Sequence, residues 1–356
     1  MSQLRSTLSL IAQSVIGGLA IAFIVVLINP RLITPAPAGG PLSAGFADAV
    51  ERSSPAVVSI YTSLRSGTIS GNAAAPPRGG IASGVIISAT GYLVTSWHII
   101  EGAGDLVVQL ADGRIARPQL VGADPETELA LLRLDLPDLP FAELGYSDRL
   151  RTGDIVLAIG NSLGLSQTVT LGIVSATGRG QLNVATFENF IQTDAAINFG
   201  SSGGALIDTE GRLVGINTAV VGSSDLQRDA PEGIGFAIPI NLVRGVVEQL
   251  IEHGRVIRGY LGIELSNLST PEAQTFGLSG AAVLVEEVGG PAQAAGLAAG
   301  DVITHLDGQR IGTAQQLLSV VAGTQPGTRM RVAGARANGD SFDKEIELGE
   351  RPAQLL

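Results

Sequence analysis

Two stretches decide the fold: GVIISATGYLV at Gly84–Val94 and GALIDTEGRLV at Gly204–Val214. Each reads as an apolar run, a turn carrying glycine and a second apolar run, which is the pattern of a β-hairpin. The turn glycines, Gly91 and Gly211, lie 120 residues apart. A hairpin repeated at that distance predicts two similar β-barrels with a cleft between them where a site can form. A chance likeness between two glycine-turn hairpins is the alternative.

Outward from the hairpins, β-branched runs bounded by turn residues predict strands at Ala56–Thr62, Leu106–Leu110, Leu129–Leu134, Ile155–Gly160, Val169–Ala176 and Ile234–Ile238. After Pro239 the apolar period changes. Leu242, Val243, Val246, Val247, Leu250 and Ile251 follow helical spacing, with Asn241 as N-cap and Gly254 as the stop. A second unit begins at Ile257. It holds RGYLGIEL, a turn-rich run from Gly290 to Ile311, an amphipathic helix at Thr313–Ala322 and closing strands at Arg329–Ala335 and Asp343–Leu348. That is the outline of a small α+β module.

Size and composition agree with two folded units. The 356 residues suffice for about two cores, and 47 glycines with 4% aromatics favour short strands and turns over helical bundles. The net charge of −11 repels phosphate backbones, so nucleic acid is not an expected partner. With no cysteine, a disulfide framework, a thiolate zinc site and a thiol nucleophile are excluded.

Leu8–Ile28 is a 21-residue run without charge, long enough as a helix to cross a bilayer core. Arg5 ahead of it places the N-terminus in the cytoplasm and everything after it outside. This predicts a retained transmembrane anchor over residues 1–30. A cleaved signal peptide is the alternative, since Ala36 and Ala38 mimic a small-x-small site. Residues 31–45, rich in Pro and Gly, read as a flexible linker.

Only His98, His253 and His305 are available for imidazole chemistry. His253 falls at the predicted helix end, where its charged form complements the dipole, and His305 falls within a strand of the second module. His98, in VTSWHII just past the first hairpin, lies near the predicted cleft. Immediately before the second hairpin stands Gly200-Ser201-Ser202-Gly203-Gly204. Glycines let such a loop bend sharply and aim several amides at one point, so that a serine in it can attack a carbonyl while the loop holds the developing oxyanion.

VTSWHII, TDAAINFGSSGGAL, EGIGFAIP, RGYLGI and AGLAAGDVI together resemble HtrA-type serine proteases, most closely the membrane-anchored, single-PDZ DegS/AlgW branch. The resemblance runs from about Phe46 to Leu348. It implies a mainly β fold: a chymotrypsin-like double β-barrel over 46–255, then an α+β PDZ domain over 256–352. By motif, it implies His98 as general base, Ser202 as nucleophile and Gly200, Ser201 and Ser202 as the oxyanion loop. No metal or cofactor is implied.

The acid departs from the pattern. Where the family has Asp-x-x-Thr-Asp-Leu-Ala, this chain reads Asp124-Pro125-Glu126-Thr127-Glu128-Leu129-Ala130, so Glu128 takes the acid position. A stem one methylene longer can orient the imidazole only if it folds back. Asp124 occupies a different motif position, expected in the preceding turn. Two other departures are Ser201 in place of Asn and Gly160-Asn161-Ser162 in place of Gly-Asn-Pro.

In the second module, Tyr260-Leu261-Gly262-Ile263 resembles the PDZ carboxylate-binding loop that captures a peptide C-terminus. Arg179 matches a family position implicated in relaying that event. The implied protein is a periplasm-facing, inner-membrane homotrimer that acts on misfolded or membrane proteins. Its implied role is in envelope stress signalling, with an anti-sigma factor as a substrate. The competing class is a catalytically impaired PDZ scaffold that binds protein C-termini.

Overall fold

The computed structural model describes residues 45–64, 80–161, 167–180, 185–218 and 233–352. The anchor expected at Leu8–Ile28 and nearly all of the linker lie outside these residues. Among the described residues no helix is long and apolar enough to cross a membrane.

A helix, α1 (Ala47–Ser53), leads into a seven-stranded sheet. Its strands are β1 (Val57–Leu64), β2 (Gly80–Ile86), β3 (Tyr92–Ser96), β4 (Ala103–Gln109), β5 (Ile115–Ala116), β6 (Gln119–Asp124) and β7 (Leu129–Arg133). They pair in the order β5-β4-β1-β2-β3-β7-β6, and a one-turn helix, α2 (Trp97–Ile100), follows β3. The core of this sheet is aliphatic, with Val58, Ile60, Ile86, Leu93, Val108 and Leu132 all buried.

The next six strands are β8 (Ile155–Gly160), β9 (Thr168–Arg179), β10 (Phe190–Thr193), β11 (Ala205–Ile207), β12 (Leu213–Thr218) and β13 (Gly235–Pro239). They close into a barrel in the order β10-β13-β12-β11-β8-β9. The second half closes, while among the described residues the first stays a sheet with β5 and β6 at its edges.

The two diagnostic hairpins form as read. β2 pairs with β3 through Val85↔Val94, and β11 pairs with β12 through Leu206↔Gly215. Their turns match in detail. Gly91 N–H donates to Ser88 O and Gly211 N–H to Asp208 O, each at 3.1 Å, and both glycines have positive φ, +91° and +82°. Ser88 and Asp208 side chains accept backbone N–H groups inside their own turns. Turn chemistry of this kind is local, which is why it was legible in sequence.

Helix α3 (Ile240–His253) packs on β6, β7, β12 and β13 and so joins the two halves. Gly254 ends it with φ +71°, as expected. Its start differs from expectation. Pro239 is the N-cap, and Asn241 lies inside the first turn, where its N–H is taken by Ser147 Oγ at 3.1 Å. The cap comes from a residue distant in sequence, so Asn241 is not needed for it.

The last sheet runs β15 (Ile263–Leu268), β16 (Ala282–Val288), β17 (Val302–Leu306), β19 (Arg329–Ala335) and β20 (Ser341–Glu347). β18 (Gln309–Arg310) pairs with β17, and β14 (Gly259–Tyr260) pairs separately with β21 (Gly349–Glu350). Helices α4 (Thr270–Gln274), α5 (Gly290–Ala294) and α6 (Ala314–Ala322) pack around it. Thr313 caps α6 by accepting Gln316 N–H. Leu261, Val283, Ile303, Leu317, Val332 and Ile346 form its core.

The positive φ at Gly91 is a strict requirement, because a Cβ there would also lie 2.1 Å from Leu134 O. Gly91→Ala is expected to lower the unfolding free energy by about 2 kcal/mol or more, read from the midpoint of urea denaturation. Gly113→Ala, at a positive-φ turn with open space around it, should cost distinctly less.

Candidate active site

His98 sits in α2, directly beyond β3, and Glu128 stands at the foot of β7, the strand that pairs with β3 through Ser96↔Leu129. Sheet pairing therefore delivers the two residues to one edge. Pro125–Thr127 forms a 3-10 turn, after which Glu128 takes a left-handed conformation, φ +63° and ψ +33°. The backbone adds a further tie, Trp97 N–H to Glu128 O at 3.1 Å.

From that position Glu128 Oε2 meets His98 Nδ1 at 3.0 Å and accepts the His98 backbone N–H at 3.3 Å. A carboxylate can only accept, so this contact places the imidazole proton on Nδ1 and leaves the Nε2 lone pair facing away from the acid. The carboxylate is buried, its side chain 9% exposed, while the imidazole is 25% exposed.

Ser202 arrives from the barrel. The loop before β11 carries positive φ at Gly200 (+94°) and Gly203 (+80°). Its backbone groups are taken up in sequence: Ser201 N–H donates to Asn198 O, Gly204 N–H to Ser201 O, and Gly203 N–H to Asn217 O. The loop is pinned to the first sheet, because Ser83 N–H donates to Ser202 O at 2.9 Å and Ser83 Oγ to Gly200 O at 2.7 Å. Ser83 lies on β2 and its carbonyl accepts Thr95 Oγ1, so Ser202 is held beside the strand that ends two residues before His98. Gly200, Ser201 and Ser202 are all buried.

The remaining candidates lie elsewhere. Arg179 ends β9 and bonds Gln192 Oε1 of β10 at 2.8 Å. Tyr260–Ile263 enters the last sheet, where Gly262 has φ +79° and its carbonyl accepts Gly289 N–H. β15 is an edge strand, and a groove runs between it and α6, lined by Ile263, Leu317, Leu318 and Val321. Ser162 lies outside the described residues. Asp124 is not in a turn, as expected, but closes β6, buried at 4%.

Asp124 belongs to a cluster that the sequence did not reveal. It accepts Arg258 Nη1 at 2.8 Å and Nη2 at 2.5 Å, and Glu126 lies 3.4 Å from the same guanidinium. Arg351 Nε donates to Glu126 Oε1 at 2.6 Å, and Phe187 N–H to Glu126 O at 2.9 Å. The Phe187 ring sits under both guanidinium groups, 4.7 Å from Arg258 and 5.5 Å from Arg351. Arg258 and Arg351 flank the module of the last sheet, so its two ends are fastened to the turn that precedes Glu128. Nothing in residue spacing announces this arrangement. Arg258 stands within the quoted RGYLGI run, but its partners lie more than a hundred residues upstream.

Among the described residues no group of His, Cys, Asp and Glu could hold a metal ion. The structure thus pairs an imidazole with a carboxylate on one sheet and ties a serine in a glycine-rich loop to that same sheet, a set of groups of the kind acyl transfer uses. Comparison with known proteins agrees. Residues 82–216 match the trypsin-like peptidase domain and residues 259–348 the PDZ domain. The solved structure of the HtrA-type protease AlgW with tripeptide is 45% identical, covering 87% of this chain and 99% of that one, with a TM-score of 0.76. The chain belongs to the HtrA-type serine proteases. A serine endoprotease from Yersinia pestis is 40% identical, covering 87% and 99% of the two chains at a TM-score of 0.67. The periplasmic pH-dependent serine endoprotease DegQ of Escherichia coli is 43% identical over 279 residues, 77% of this chain and 60% of its own length. This HtrA-type chain thus spans a little over half the length of the curated relatives it matches.

Removing one partner of a buried ion pair leaves the other uncompensated. Arg258→Met in this HtrA-type protein is expected to lower the unfolding free energy by about 3–5 kcal/mol, measured by chemical denaturation. Neutralising both acids in the same chain (Asp124→Asn, Glu126→Gln) should recover most of that loss.

Proposed function

We propose that this protein is a serine endopeptidase in which Ser202 is the nucleophile, His98 the general base and Glu128 the orienting acid. The observation that carries the reading is the 3.0 Å contact between Glu128 Oε2 and His98 Nδ1. It directs Nε2 toward a proton donor other than the acid, and it is made by a side chain one methylene longer than the family's.

In the reaction, Ser202 Oγ attacks a peptide carbonyl while its proton passes to His98 Nε2. The Gly200 and Ser202 amides, on the loop that includes Ser201, stabilise the oxyanion. His98 then protonates the leaving amine, and water, deprotonated by the same imidazole, releases the acyl-enzyme. Glu128 stabilises the imidazolium as it forms. No metal or cofactor takes part.

The domain limits that fit this reading are 46–255 for the protease and 256–352 for the PDZ domain, behind an anchor at 1–30 and a linker at 31–45. The open edge of β15 facing α6 fits strand addition by a peptide whose C-terminal carboxylate meets the amides of Tyr260–Ile263. The AlgW structures solved with a tripeptide and with a decapeptide support peptide binding by a chain of this kind. Arg179 is assigned to the relay from peptide to active site. The periplasmic names of the relatives support a catalytic domain on that side of the inner membrane, with misfolded or membrane proteins as substrates and an anti-sigma factor among them. Homotrimer formation accounts for an apolar stripe on the outer barrel wall. Val169, Leu171 and Ile173 alternate along β9 and are exposed, and Ile155 pairs with Ile173 across β8. Such a patch marks an interaction surface.

Purified protein with an unfolded substrate and C-terminal activating peptides tests the assignment. Cleavage should vanish in Ser202→Ala and fall about 10⁴-fold in Glu128→Ala, as for triad-acid lesions generally, with Glu128→Asp remaining active. Peptide binding without cleavage under any activator would instead support the scaffold. For assembly, Ile155→Asp combined with Leu171→Asp should shift the mass seen by light scattering from three copies to one.

A further inference from the structure

Ser83 lies on β2, in neither of the two quoted hairpins, and is completely buried. It makes four hydrogen bonds. Its N–H donates to Ser202 O at 2.9 Å, its carbonyl accepts Thr95 Oγ1 at 2.8 Å, its hydroxyl meets Gly200 O at 2.7 Å, and the same hydroxyl meets Asn161 N–H at 2.8 Å. The direction of the last two follows from valence. An amide nitrogen can only donate, so Ser83 Oγ accepts from Asn161 and its single proton goes to the Gly200 carbonyl.

A held carbonyl fixes a whole peptide plane, and with it the N–H on the opposite side. The Gly200–Ser201 plane is held at its oxygen by Ser83 Oγ and at its nitrogen by Asn198 O. The Ser202–Gly203 plane is held at its oxygen by Ser83 N–H and at its nitrogen by Asn217 O. The plane between them is held through Ser201 O, which accepts Gly204 N–H. With these three planes set, the direction of the Ser202 amide is set. Packing reinforces the arrangement: a Cβ on Gly203 would lie 2.1 Å from Ser83 O and 2.3 Å from Thr95 Oγ1, so the loop can approach β2 this closely only as glycine.

We propose that Ser83 is a positioning residue for the hydrolysis, whose hydroxyl, carried by one half of the molecule, helps set the aim of the Ser202 oxyanion amide carried by the other. This rests on the assignment of Ser202 as nucleophile, and it adds a residue that touches neither substrate nor imidazole. Losing the hydroxyl leaves Gly200 O and Asn161 N–H buried without this partner, and the loop relaxes to satisfy them.

Ser83→Ala tests the proposal through two separate readouts. In steady-state cleavage, kcat should fall about 10- to 100-fold with KM unchanged. The affinity for a peptide boronate should fall in step, and the pH midpoint of kcat/KM should stay put, since the His98–Glu128 contact is untouched. In amide exchange, Ser201 and Gly203 N–H should each lose about tenfold or more in protection. A wild-type kcat, a shifted pH midpoint or unchanged protection of these amides overturns the proposal. Exchange does not depend on turnover, so a protein that cleaves nothing refutes the protease assignment while leaving the test of the loop intact. If Ser83→Ala does not fold, Ser83→Cys, with a weaker donor on the same stem, should give an intermediate kcat at unchanged KM, and a wild-type kcat there overturns the proposal equally.

Discussion

Everything at this site depends on holding two separate β layers in register. One layer supplies the imidazole and the acid through the pairing of β3 with β7, and the other supplies the serine loop at the mouth of a closed barrel. Neither layer has the chemistry alone. The tie between them consists of short, buried hydrogen bonds from β2 to the carbonyls of Gly200 and Ser202, backed by α3 packed across both. In a low-dielectric interior such bonds are strong when satisfied and costly when broken, which keeps the register unique.

The longer acid is accommodated at the level of the backbone as well as the rotamer. Glu128 follows a 3-10 turn in a left-handed conformation, an uncommon state for a residue with a side chain, and its carboxylate reaches both the ring and the backbone N–H of His98. Two hydrogen bonds accepted by one oxygen fix Glu128 against His98. The turn is secured from its far side by Arg258 and Arg351.

What was legible in sequence was what is local. The hairpins, their turn glycines, Gly254 as helix stop and the amphipathic helix near Thr313–Ala322 are all decided within a few residues, and each was found where read. The misses were decided at a distance. The Asn241 N–H is taken by the hydroxyl of Ser147 while Pro239 holds the N-cap, and Asp124 closes a strand where it meets Arg258. His98, Glu128 and Ser202 stood out because their motifs are dense, and the structure brings the first two into contact. Ser83 and Phe187 did not stand out, since a serine in a strand and a phenylalanine in a loop acquire their partners only when the halves meet.

The charged junction around Phe187 has a thermal consequence. The cost of stripping water from ions shrinks as temperature rises, whereas the gain from apolar contact levels off. The joint made by two guanidinium groups, two carboxylates and one aromatic ring is therefore the seam whose cohesion warming erodes least. Of the contacts that fasten the last sheet's module to the turn before Glu128, these charged ones therefore lose least as the aliphatic interiors slacken.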